Sequence, residues 1–132
     1  MERSAMGKID VQAGLRYCVG SWENYKKALF VALKSIRGKL PILTGMIEWK
    51  EYDGFCTIAG ILARICSNVG ATEMAQWTER LELAALNQDY ILMEEELPAY
   101  NAELEILLTD LEETLRYLDK APQIEYRIRE VI

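Results

Sequence analysis

At 132 residues the chain has the length of one domain with a single core, and two ordinary domains would not fit in it. Hydrophobic residues make up 51% and charged residues 27% of the sequence, which excludes a disordered chain and predicts a globular one with a solvated exterior. Twenty-one acidic against 15 basic residues give a net charge of -6, which disfavours nucleic acid and anionic lipid as partners unless the basic groups gather on one face.

They do not gather. The densest basic stretch, Lys26, Lys27, Lys34, Arg37 and Lys39, reads as the wet side of one helix. The longest unbroken apolar run, Ala28 to Leu33, is far below the roughly 18 residues of a membrane span, and Met1 to Asp10 holds no apolar signal core. The expectation is a cytoplasmic protein with neither a membrane nor a nucleic-acid partner. Cys18, Cys56 and Cys66 are odd in number and lack Cys-x-x-Cys spacing, so they read as buried, reduced thiols rather than a disulfide framework or a zinc site. Histidine is absent. That removes the commonest general base, the commonest transition-metal ligand and the usual partner of a nucleophilic serine or cysteine.

In chain order, the apolar residues follow a three-four repeat that predicts helices throughout. A short opening helix starts with Asp10 as N-cap and stops near Gly20, with Val11, Leu15 and Cys18 inward. Ser21 caps a second helix whose inner face is Trp22, Tyr25, Leu29, Leu33 and Ile36; it bends around Gly38 to Pro41 and resumes through Trp49. The third carries Phe55, Ile58, Leu62, Ile65 and Val69 and ends at Gly70, with Gly60, Ala63, Arg64 and Ser67 on the opposite stripe. The fourth, from about Thr72, turns Met74, Trp77, Leu81 and Ala84 inward. Asp89 caps the last helix, which Pro98 kinks or starts afresh; its stripe from Leu97 through Tyr100, Leu104, Leu107, Leu111 and Leu115 to Leu118 is the longest in the chain. Trp22, Trp49 and Trp77 sit at or beside core positions.

Short polar connections between long amphipathic helices imply antiparallel neighbours. The predicted fold is all-α, an antiparallel up-down four-helix bundle with a short N-terminal capping helix. Residues 9–120 form the bundle, residues 1–8 an N-terminal tail, and residues 121–132 either a packed tail or the start of a linker.

The segment from Ala59 to Ala71 is similar to the signature of histidine-phosphotransfer (HPt) domains, in which Ala-His-x-Leu-Lys-Gly/Ser leads to an Ile/Val-Gly-Ala helix end. The matches are Ala59, Leu62, Val69, Gly70 and Ala71. Ile9-Asp10-Val11 with Gly14-Leu15, the Leu81-Glu82-x-Ala84 pattern and Leu97-Pro98 extend the resemblance over roughly residues 9–118. It implies an HPt-like bundle in a two-component phosphorelay, whose partner is a receiver domain or a histidine kinase. The departures fall on the family's chemistry: Gly60 stands at the phospho-histidine position, Ala63 at the lysine position and Arg64 where a small residue is usual.

In the family an imidazole nitrogen attacks an aspartyl phosphate and the lysine supports the phosphoryl charge. Glycine cannot accept phosphate. The resemblance therefore implies a non-catalytic module, no enzyme, that docks a receiver domain or kinase through Thr57, Gly60, Ile61, Ala63, Arg64 and Ser67. At about 100° per residue, Gly60 lies about 160° from Leu62 and so is expected to face solvent. Relaxed selection at a dead site, or a generic helix glycine, would also leave Gly60. The other function class is a structural bundle or dimerisation module of a larger protein. Glu94-Glu95-Glu96 with Glu103 and Glu105 read as a wet acidic face, because a bundle di-metal site needs Glu-x-x-His pairs. No metal, haem or nucleotide cofactor is expected.

Overall fold

A computed structural model describes residues 9–120 as five helices: α1 (Val11–Tyr17), α2 (Trp22–Glu48), α3 (Tyr52–Val69), α4 (Thr72–Leu86) and α5 (Tyr90–Lys120). Among the described residues there is no strand. The stretches 1–8 and 121–132, read above as tails, lie outside the described residues.

Three of the five helices start at a side-chain acceptor, while α3 and α4 start at Glu51 and Ala71 without one. Asp10 accepts the Ala13 N–H at 3.1 Å, Ser21 the Asn24 N–H at 3.1 Å and Asp89 the Leu92 N–H at 3.3 Å, each satisfying an amide that the helix leaves unpaired. The helix ends share one device. After α1, α2, α3 and α4 a residue with positive φ (Val19, Lys50, Gly70, Gln88) reverses the chain. The next amide then bonds back to a carbonyl inside the helix: Gly20 to Leu15, Glu51 to Met46, Ala71 to Cys66 and Asp89 to Ala84, all at 2.8 Å. This is the Schellman closure, which favours glycine at the left-handed position.

Only one of the four has it. Val19, with φ 57° and 90% exposure, carries a β-branched side chain where the left-handed region is costliest. Val19→Gly is expected to raise the unfolding free energy by about 0.5–1 kcal/mol, the relief exceeding the entropy that glycine adds to the unfolded chain. Urea denaturation checks it; a lower midpoint would show that Val19 gains more from packing than it loses in strain.

The bounds of three helices refine the expectations. α1 ends at Tyr17, close to the expected stop near Gly20, and both Val19 (φ 57°) and Gly20 (φ 74°) take left-handed conformations in the exit. α2 is one helix across Gly38–Pro41, and α5 begins at Tyr90 and runs through Pro98 without a fresh start. In both helices the proline is exposed, and so is the residue four positions earlier, Arg37 or Glu94. The carbonyl that loses its helical bond can therefore be solvated, which lowers the cost of an interior proline.

α2 packs on α3, α3 on α4, α4 on α5 and α5 on α2, while α1 rests on α3 and α2. The core between them holds Leu29, Ile36 and Leu43 from α2, Phe55 and Leu62 from α3, Leu81 from α4, and Met93, Leu104, Leu107 and Leu111 from α5. Polar groups inside it are paired, as burial demands. Tyr25 donates to the Val69 carbonyl at 2.9 Å, and Thr78 lies 2.6 Å from both the Tyr100 hydroxyl and the Met74 carbonyl. Trp77 meets Tyr100 edge-on and donates to Glu96 at 2.7 Å. Trp49 departs from its expected place: it is 78% exposed, because α2 stops at Glu48 and the turn at Lys50 begins directly after it.

Candidate functional site

α3 carries every residue singled out as a docking contact, and three helices press on it. Contact on several sides makes its buried arc wider than the single stripe that periodicity suggests. Phe55, Ala59, Leu62, Ala63, Cys66 and Val69 are all buried, whereas Ile58 and Ile65, expected inward, are half-buried at its edge. The small residues Ala59 and Ala63 let another helix come close to α3 here.

The six expected contact residues therefore divide. Thr57 and Arg64 are exposed, and the Thr57 hydroxyl donates to the Asp53 carbonyl one turn back at 3.2 Å. Gly60, Ile61 and Ser67 are half-buried. Ala63, placed on the outward stripe from the sequence, is only 4% exposed. A residue at that position belongs to the packed interface, and a docking partner cannot reach it.

Gly60 sits at the α3–α4 seam rather than on open surface. A Cβ built on it would lie 2.8 Å from Oε2 of Glu82, on α4, and 3.4 Å from that residue's carboxyl carbon. One turn earlier, the Cys56 thiol lies 3.8 Å from the Glu82 carbonyl. The face of α3 that does reach solvent is Thr57, Ile61, Arg64, Ile65 and Asn68, a set spaced by one and two turns. On its α2 side a groove of about 230 Å³ is lined by Lys27, Ala28, Val31, Ile65 and Asn68. Val31 is 55% exposed, so the groove pairs apolar contact area with the cation of Lys27.

Sequence reasoning missed Glu82, Val31 and Asn68 as neighbours of this face, and it buried Ile65 too deeply. The signal for Glu82 was present in Leu81-Glu82-x-Ala84, where a glutamate follows an inward leucine on the helix facing α3. Nothing in one sequence gave it a partner.

The surroundings of the three thiols work against the thiolate form. Burial raises the pKa of the Cys18 and Cys56 thiols, with the Glu82 and Asp53 carboxylates adding to the effect at Cys56, and pushes Cys66 up to about 12. A raised pKa leaves little thiolate at neutral pH. No helix among the described residues is long and apolar enough to cross a membrane. Compared with protein-family models, curated proteins and solved structures, the chain matches none of them.

Proposed function

We propose that the chain is a non-catalytic HPt-like signalling module, an up-down bundle of α2 to α5 capped by α1, which docks a receiver domain or kinase and carries no phosphate. The cyclic packing of α2 on α3, α3 on α4, α4 on α5 and α5 on α2 supports that architecture, since antiparallel neighbours joined by tight reversals pack in this order. The observation that carries the reading is the state of the α3 face. On the HPt-like reading Gly60 stands where the family carries its phosphoacceptor, while Thr57, Ile61, Ile65 and Arg64 on the same helix offer a mixed apolar and cationic surface. Phosphotransfer requires a nucleophilic side chain at this point, and binding does not.

Two results are expected. Incubated with a phosphorylated receiver, the chain gains no acid-labile phosphate. Titrated against the purified receiver domains of its own organism, it binds at least one with saturation, and Arg64→Glu weakens that complex at least tenfold. Phosphate on the chain, or the absence of saturable binding to every receiver, would contradict the proposal.

A second reading, a bundle or dimerisation module of a larger protein, draws on a different surface. Tyr52 and Tyr90 stack with ring centres 3.7 Å apart, bringing together the end of the molecule that also holds Trp49, Leu86 and Ile91, exposed by 78%, 64% and 71%. Exposed apolar patches of this kind mark contact surfaces. Sedimentation separates the readings: self-association abolished by Trp49→Glu favours the second, a monomer the first.

A further inference from the structure

The carboxylate of Glu82 occupies the ground that a side chain at position 60 would need. Both of its oxygens and its carboxyl carbon come within 3.8 Å of a Cβ placed on Gly60. The side chain is half-buried against α3. Yet no cation or hydrogen-bond donor among the described residues engages that carboxylate: the bond from Cys56 reaches the main-chain oxygen, and the resolved ion pairs are Lys26–Asp119 and Arg37–Glu112. A half-buried carboxylate loses part of its hydration, so an opposing charge brought against it is worth more than at an open surface.

We propose that Glu82 supplies, in place of the missing acceptor side chain, a permanent negative charge over Gly60 that receives a cation of the docked partner. This inference rests on the docking proposal above and names the group on which it turns. A protein that exchanges a phosphoryl group must hold a cation against it, either a lysine or arginine side chain or a bound Mg²⁺, because charge stabilisation is most of the catalysis. The same cation can close on a carboxylate seated at the acceptor position. Docking is then independent of phosphorylation, since the charge is built into α4. Gly60 allows this arrangement. A larger residue there would force the Glu82 carboxylate aside, which costs little in folding because only the end of a flexible side chain moves.

The test uses whichever receiver domain binds the full chain. Titrations with wild type, Glu82→Gln and Gly60→Leu are run in Mg²⁺ and again in EDTA, with thermal melts confirming that each variant is folded. Glu82→Gln, which keeps the shape and removes the charge, is expected to weaken binding at least tenfold, and Gly60→Leu to weaken it similarly by displacing the carboxylate. A loss that persists in EDTA supports a side-chain cation as the partner group, and a loss seen only with Mg²⁺ supports a metal held by the receiver. Equal affinity of wild type and Glu82→Gln for a receiver that wild type binds would overturn the role of Glu82 and leave docking standing. Failure of every receiver to bind wild type would overturn both.

Discussion

Replacing Gly70 by alanine is expected to lower the free energy of unfolding by about 2–5 kcal/mol, combining the left-handed backbone penalty with a steric one. Gly70 has φ 87° and closes α3. A Cβ there would collide with the Asp10 carbonyl, lying 2.9 Å from its carbon and from the Gly14 amide nitrogen. Those are main-chain atoms of the α1 entrance, held by the Asp10 N–H bond to the Gly70 carbonyl at 2.8 Å, so they cannot move without detaching α1. Gly14 is placed as tightly, with a built Cβ 2.6 Å from the Val69 carbonyl. Gly38, exposed on α2 with nothing within 4 Å of a built Cβ, is the control: Gly38→Ala should stabilise by up to about 1 kcal/mol. Urea midpoints for the two variants should move in opposite directions. A shift in the same direction would contradict the close packing of α1 on the end of α3.

Leu104→Ala is expected to cost about 2–5 kcal/mol, the range for a leucine truncated in a closed core. Leu104 is 0% exposed, in the middle of the α5 stripe that packs against α2 and α4. Leu83, of the same size but 56% exposed on α4, should lose no more than about 0.5 kcal/mol on the same change. Comparable losses at the two sites would mean that α5 is not seated as described.

Most of the fold was legible because its determinants are local. Asp10, Ser21 and Asp89 are residues whose short side chains bond their own helix amides, and Gly70 is the residue type that a left-handed exit favours. Each can be identified within a few positions of chain. The α5 stripe was legible for a related reason, since leucine at steps of three and four leaves little choice of face. The two interior prolines left helix continuity open, because the cost of a lost helical bond depends on solvent at the residue four positions back, and a pattern does not report exposure.

The candidate site was less legible, and α3 shows why. Alanine is small enough for either surface or interior, so Ala59 and Ala63 carry no phase information. Only the approach of another helix buries them. The seam that follows moved Ala63 inward and put Glu82 over Gly60. Pairing residues 22 positions apart in sequence needs the geometry of both helices. Val19, Lys50 and Gln88 were invisible for the converse reason: the same reversal that suits glycine at position 70 is imposed at the other three by the packing of the helices it joins.

If the docking proposal holds, the chain competes for receivers without draining phosphate from them, and its surface chemistry decides which receivers it holds. The exposed groups on α3 are few, so the contact can be mapped directly. Amide chemical shifts of the isotope-labelled chain, followed during titration with a receiver domain, test it in one measurement. Saturable changes at Thr57, Gly60, Ile61 and Arg64, with Glu82 opposite, are the predicted result. Changes confined to the end that bears Trp49, Leu86 and Ile91, or no changes with any receiver, would contradict it.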